Sequence, residues 1–211
     1  MIVRGVNGDY NRAFGALTES HDLKGVLCVE VGQIADVEAV NEWLDQNRMP
    51  LNRLTIAGHG GREGIHISMN AVLARDQSSV GQPALRTLFH HIVPDSEGVR
   101  NIVLNSCSQG RDYDTKGSMA QIISAIDTTA TITAAPRVSY TVPSERTGEF
   151  VVSTNPYYEL AQFLKQQVGV PGLERLSKYL LESPRMRKVG VVHVRDGMKS
   201  IDTSGKVYIG A

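Results

Sequence analysis

The sequence predicts an α/β fold with a mostly parallel central sheet flanked by helices. From residue 25 onward, short apolar segments of strand character alternate with amphipathic helical segments, which is the pattern of a parallel sheet. The 211 residues, 41% of them hydrophobic and 21% charged, suffice for one domain with a buried core. Two of the apolar segments end at a reactive side chain among small residues, and sites of such sheets form where the strands end.

The elements of the first half follow from hydrophobic periodicity. Residues 1–24 lack strong periodicity and predict an N-terminal arm or leader, ahead of a single domain over residues 25–211. We expect strands over 26–31, 54–57 and 102–104, a short extended piece over 65–67, and helices over 37–46, 69–75 and 83–92. Ser68 is the expected N-cap of the helix over 69–75.

The second half begins with the same alternation and then changes. A helix over 118–126 and a β-branched strand over 131–134 continue the alternation. Extended segments over 137–142 and 149–153 flank a polar turn, which predicts a β-hairpin. Helices over 156–167 and 173–181, a strand over 189–194 and an extended tail over 206–209 complete the chain.

Charge and cysteine usage narrow the class of protein. Lys+Arg and Asp+Glu are both 22, and this balance argues against a general nucleic-acid binder. No apolar run approaches the roughly 18 residues of a membrane span, and the start lacks the plan of a signal peptide. Two cysteines do not make a disulfide framework, so we expect free thiols in a reducing, cytosolic compartment. Cys28 is predicted to be a buried core residue, whereas Cys107 follows a strand end.

The strand over 54–57 leads to His59, and the strand over 102–104 leads to Cys107. Neighbouring parallel strands deliver their last residues to one edge of a sheet, and a cysteine with a histidine is the minimum for thiol catalysis. Cys107 is the candidate nucleophile and His59 the candidate general acid/base. The backbone N–H groups of Gly60 and Cys107 are candidate donors for an oxyanion hole.

Each residue alone has a structural interpretation, since turn histidines and buried cysteines are common. Their joint placement favours the catalytic interpretation. No third acidic member is evident, and Asp9 and Asp22 are candidates only because they lie upstream. No metal site is predicted, because the remaining histidines lack ligand spacing: His66, His90, His91 and His193.

The two motifs, LTIAGHG at 54–60 and IVLNSC at 102–107, resemble those of the caspase-like (clan CD) cysteine peptidases. The closest similarity is to the autoprocessing cysteine protease domains of large bacterial toxins, which also carry a Ser-x-x-x-Leu-Ala segment, here Ser68 to Ala74. The resemblance implies a three-layer caspase-like fold with a β-flap after the nucleophile strand. The caspase motif Gln-Ala-Cys-x-Gly is absent, so strict aspartate specificity is not implied.

The resemblance also implies a function: a cysteine endopeptidase, a hydrolase that cleaves a protein substrate, itself, or both. Such a chain would be a bacterial effector or toxin processing domain acting in the cytosol, including that of a host cell. Ala135 and Arg137, in the segment after the nucleophile, are the implied substrate-binding residues. No cofactor is required for the chemistry, but the toxin domains are activated by inositol hexakisphosphate. The candidate residues for binding this polyanion form a basic cluster: Arg185, Arg187, Lys188, Arg195 and Lys199.

Two other functions stay open at this point. One is a catalytically inactive caspase-like binding module, and the other is a thiol hydrolase or acyltransferase on a non-peptide substrate. The sequence does not determine the cleavage-site specificity or the oligomeric state.

Overall fold

A computed structural model describes residues 1–5, 27–68, 71–115, 117–136, 140–143, 150–153, 164, 172–182, 190–202 and 206–209. Over these residues the fold is mixed α/β, with a seven-stranded central sheet, two three-stranded sheets and flanking helices. The predicted fold class is confirmed at this level. In the described part of the chain, no helix is both long enough and apolar enough to cross a membrane.

The strands of the central sheet are β1 (Ile2–Gly5), β2 (Cys28–Val31), β3 (Leu54–Ala57), β7 (Arg100–Asn105), β8 (Ala130–Ala134), β11 (Val191–Arg195) and β12 (Met198–Asp202). Their order across the sheet is β12-β11-β8-β7-β3-β1-β2. Four of the six pairings are parallel, as the alternating sequence pattern predicted, and β11 and β12 add an antiparallel edge.

The strand β1 lies between β2 and β3, although the sequence predicted an arm over residues 1–24. The side chain of Val3 is buried in the main core. A four-residue strand gives little periodic signal, so its membership of the sheet depends on the two strands beside it. Residues 6–26 lie outside the described residues.

The prediction that Cys28 is a core residue is wrong, because Cys28 is exposed. It begins β2, which is the last strand of the sheet in the described part of the chain and pairs there with β1 alone. Val31, at the other end of β2, is buried. An apolar run in the sequence therefore does not distinguish a central strand from an edge strand.

The described helices are α1 (Asp36–Gln46), α2 (Gln77–Val80), α3 (Pro83–His90), α4 (Met119–Ile126) and α5 (Leu173–Glu182). The helices predicted over 37–46, 83–92, 118–126 and 173–181 are confirmed as α1, α3, α4 and α5. Helix α1 packs on α3, where the buried Asn41 Nδ2 donates to the Ala84 carbonyl at 2.8 Å. Ser118 and Gln121 form a capping box at the start of α4.

The helix predicted over 69–75 is not formed. Residues 69–70 lie outside the described residues, and Val72–Ala74 form a strand, β6. Antiparallel pairing with β5 (Gly64–His66) buries Leu73 in the core, and this tertiary contact outweighs local helical preference. The next helix is α2, whose N-cap Asp76 accepts a hydrogen bond from the Ser79 N–H at 2.7 Å.

The predicted hairpin is confirmed as the antiparallel pair β9 (Tyr140–Pro143) and β10 (Phe150–Ser153). The tail strand β13 (Lys206–Ile209) pairs with the other side of β10, which the sequence did not predict. The strand predicted over 189–194 is β11. The helix predicted over 156–167 lies outside the described residues, apart from the helical residue 164.

Candidate active site

His59 and Cys107 leave the central sheet at the same edge. The strands before them, β3 and β7, are neighbours and pair in parallel, with Ala57 opposite Asn105. The pairing extends past the strand end, where the Gly58 N–H donates to the Asn105 carbonyl at 3.3 Å. The parallel register thus delivers both chains to one place, two residues after each strand.

His59 lies in a small hairpin that we call the His59 hairpin, residues 59–66. It consists of β4 (His59–Gly60), the two-residue turn at 62–63, and β5. The Gly61 N–H donates to the Gly64 carbonyl at 3.0 Å, which closes the turn. Hydrogen-bonded and non-bonded pairs alternate along an antiparallel ladder, so the next pair, Gly60 with Ile65, is non-bonded. The Gly60 N–H therefore points away from β5, towards the outer edge of the hairpin.

Gly60 packs directly against the residues around Cys107. A Cβ atom at Gly60 would overlap the Cys107 carbonyl oxygen and the Ser106 Oγ, and would lie 2.7 Å from the Gln109 Nε2. Only a residue without a side chain allows this approach. The contact brings the residue next to His59 against the backbone of Cys107.

Cys107 lies in a tight turn that we call the Cys107 turn, residues 106–111. Ser106 is fully buried, whereas the Cys107 thiol is partly exposed. Ser108 has a φ of 63°, a left-handed conformation that is strained for a residue with a side chain. The turn is fixed on both sides, by the Gly110 N–H donating to Ala135 and by the Arg111 N–H donating to Ser108. A strained backbone held in this way is common next to reactive residues.

Gln109 connects the Cys107 turn to the His59 hairpin. Its side chain is 1% exposed, and its Nε2 donates to the carbonyls of Cys107 at 2.8 Å and of Gly61 and Gly64 at 3.2 Å each. Gln109 was not among the site residues predicted from the sequence. A glutamine two positions after a cysteine carries no periodic or motif signal, and its role depends on chain segments 45 to 48 residues away.

Arg75 makes a second connection between the same two regions. Its side chain is 7% exposed and pairs in a bidentate manner with Asp114, at 2.7 and 3.3 Å. It also donates to the carbonyls of Arg62, in the hairpin turn, and of Gly117. The guanidinium stacks on the ring of Tyr113, 5.0 Å from its centroid. The chain after the Cys107 turn is thereby fastened to the tip of the His59 hairpin.

Of the two implied substrate-binding residues, the structure describes one, Ala135. Ala135 is 2% exposed and its carbonyl accepts the Gly110 N–H, so it supports the Cys107 turn through its backbone. Arg137 lies outside the described residues, as do Asp9 and Asp22.

The basic cluster is also placed in part, since Arg185, Arg187 and Lys188 lie outside the described residues. Lys199, on β12, forms an ion pair with Asp112. Arg195 lies near Asp95, whose pKa is below its usual value, chiefly because the Val99 N–H donates to it and in small part because of Arg195. The two described members therefore each have an acidic neighbour. Among the side chains that the structure describes, no three His, Cys, Asp or Glu groups converge to hold a metal ion.

Comparison of the chain with protein-family models, with curated proteins and with solved structures finds no match. The function must therefore be inferred from the site.

Proposed function

We propose that this chain is a caspase-like cysteine peptidase in which Cys107 is the nucleophile and His59 the general acid/base. One observation carries the proposal: Gly60, the neighbour of His59, packs against Ser106 and Cys107 at the shared edge of two adjacent parallel strands. A histidine and a thiol at one strand edge are the parts that thiol acyl transfer needs.

The chemistry follows in two stages. His59 accepts the thiol proton, the thiolate attacks the substrate carbonyl carbon, and a carbon–sulfur bond forms. His59 then protonates the leaving amine as the carbon–nitrogen bond breaks, which leaves an acyl-enzyme. Water, deprotonated by His59, attacks the acyl group, and the thiolate leaves and is reprotonated. The substrate carbonyl oxygen becomes negatively charged when the thiolate attacks, and the Gly60 N–H, directed away from β5, is a suitable hydrogen-bond donor to it. The Cys107 N–H is the proposed second donor.

The fold that goes with this function is the three-layer caspase-like fold. The order along the chain supports it, since the His59 strand, the Cys107 strand and then an antiparallel hairpin, β9–β10, follow one another. The hairpin corresponds to the flap that the resemblance implies. The proposed substrate is a protein, including this chain itself, and the proposed setting is a bacterial effector or toxin processing domain. Activation by a polyanion such as inositol hexakisphosphate stays a prediction.

The test begins with a cysteine-directed covalent probe, applied near neutral pH to a Cys28→Ser background, because Cys28 is exposed and would react as well. We expect labelling of Cys107 that falls in His59→Ala. Absence of labelling would contradict the proposal and favour the binding module.

The second step is proteome-wide mapping of cleaved peptide bonds with the wild-type protein and with Cys107→Ala. Peptide termini that appear only with the wild type are the expected result. Labelling of Cys107 without any such termini would favour a thiol hydrolase or acyltransferase on a non-peptide substrate.

A further inference from the structure

We propose that Gln109 is a positioning residue that sets the geometry between His59 and Cys107, an inference that rests on the proposed function. Its amide nitrogen is bonded at once to the carbonyl of Cys107 and to two carbonyls of the His59 hairpin.

Gln109 forms its hydrogen bonds through its side-chain amide nitrogen and not through its side-chain amide oxygen. An amide nitrogen carries two N–H groups, and here three carbonyl oxygens lie within 3.2 Å of it. Its Oε1, by contrast, is buried and has no hydrogen-bond partner among the described residues. An apolar side chain of the same volume would fill the same space without burying an oxygen that has no hydrogen-bond partner. Packing alone therefore does not explain a glutamine at this position.

The backbone at Gln109 and Gly110 is held in place by hydrogen bonds to neighbouring elements. Its own carbonyl accepts the N–H of Ala120, at the start of α4, at 3.2 Å. The next residue, Gly110, is bonded to Ala135 at the end of β8. The side chain thus links the central sheet and α4 to Gly61 and Gly64, the pair that closes the turn of the His59 hairpin.

The close approach of the hairpin fits this role. A Cβ atom at Gly60 would lie 2.7 Å from the Gln109 Nε2, so the amide fills the space beside Gly60. Arg75 fastens the same hairpin at its outer tip. Without the Gln109 amide the hairpin would stay attached through Arg75 at its tip, while the Gly61–Gly64 pair, whose Gly61 lies two residues from His59, would lose its link to the Cys107 backbone.

The experiment compares Gln109→Met, which has a similar length and no donors, with a matched control, Asn41→Leu. Asn41 is also a buried amide that donates to a backbone carbonyl, but it lies between α1 and α3. Gln109→Met, Asn41→Leu and His59→Ala are made as three separate variants, each in the Cys28→Ser background. The rate of Cys107 alkylation by iodoacetamide is measured from pH 5 to pH 9, and the thermal midpoint is recorded for each variant.

We expect His59→Ala to remove the alkylation seen at low pH, because the histidine no longer stabilises the thiolate. Gln109→Met should move the pH curve most of the way towards that of His59→Ala, with about tenfold slower alkylation at pH 6. Asn41→Leu should keep the wild-type curve even if its thermal midpoint falls as much. Gln109→Asn, which keeps the amide but is one methylene group shorter, should behave as Gln109→Met and serves if the latter does not fold.

The outcomes separate the two proposals. If Gln109→Met has the wild-type pH curve while His59→Ala does not, the positioning role is overturned and the dyad stands. A curve in Asn41→Leu displaced as far as in Gln109→Met would also overturn it, since general loosening would then explain the shift. Identical curves for wild type and His59→Ala would overturn the dyad itself.

Discussion

Gly60→Ala should disrupt the site, because the new methyl group would meet atoms that cannot move away easily. Its Cβ atom would overlap a backbone oxygen, that of Cys107, and the Ser106 Oγ, and would lie 2.7 Å from the Gln109 Nε2, whereas 3.4 Å is the near limit of an ordinary contact. The overlap with the Cys107 oxygen is deeper than the contact with Gln109, so the hairpin and the Cys107 turn would have to separate by about 1 Å. Overpacking of this kind costs about 2 kcal/mol, or roughly 6 °C in thermal midpoint for a chain of this size.

The functional cost should be larger than the loss of stability. A displacement approaching 1 Å between reacting groups lowers turnover by about 100-fold. The assay is the thermal midpoint together with the rate of Cys107 alkylation near neutral pH and, once a substrate is known, kcat.

The neighbouring glycine supplies the matched control for this prediction. A Cβ atom at Gly61 has no heavy atom within 4 Å, so Gly61→Ala should be close to wild type in both measurements. If Gly60→Ala and Gly61→Ala behave alike, Gly60 does not fix the distance between the hairpin and Cys107, and the argument for the site loses its main support.

Three further predictions concern stability. Arg75→Met should cost about 2 kcal/mol in urea unfolding, because it breaks the bidentate ion pair of a buried arginine with Asp114, whose side chain is 36% exposed. Arg75→Lys should recover less than half of this, and a cost below about 0.5 kcal/mol for Arg75→Met would contradict the structure. The pKa of Asp36 is lowered in the folded protein, chiefly because the Gly32 N–H donates to its carboxylate. The ionised carboxylate therefore stabilises the fold at pH values above its unfolded pKa of about 3.9, and this stabilisation is lost as the pH falls through its folded pKa. The stability gap between wild type and Asp36→Ala should accordingly be wider at pH 7 than at pH 2.5, and an equal gap at both would refute this. Ser118→Ala should cost about 1 kcal/mol by removing the N-cap of α4, again by urea unfolding, and no change would mean that the capping box contributes nothing.

The local sequence pattern was sufficient to predict most of the described helices and strands. Strand β3 was predicted with the bounds that the structure has, and α1, α3 and α4 were predicted to within about two residues, because their apolar spacing and capping residues are local properties of the chain. The helix predicted over 69–75 failed because β6 gains more from pairing with β5 and burying Leu73 than from helical propensity.

The sequence by itself determined which residues carry the candidate chemistry and that they follow strand ends. It could not determine what holds them together. Gln109 and Arg75 gave no sequence signal, because each bonds to chain segments 39 to 48 residues away. The exposure of Cys28 likewise depends on β2 being an edge strand. Periodicity reports which side of an element is apolar, whereas strand order, register and long-range hydrogen bonds depend on which segments meet, and only the tertiary structure decides that.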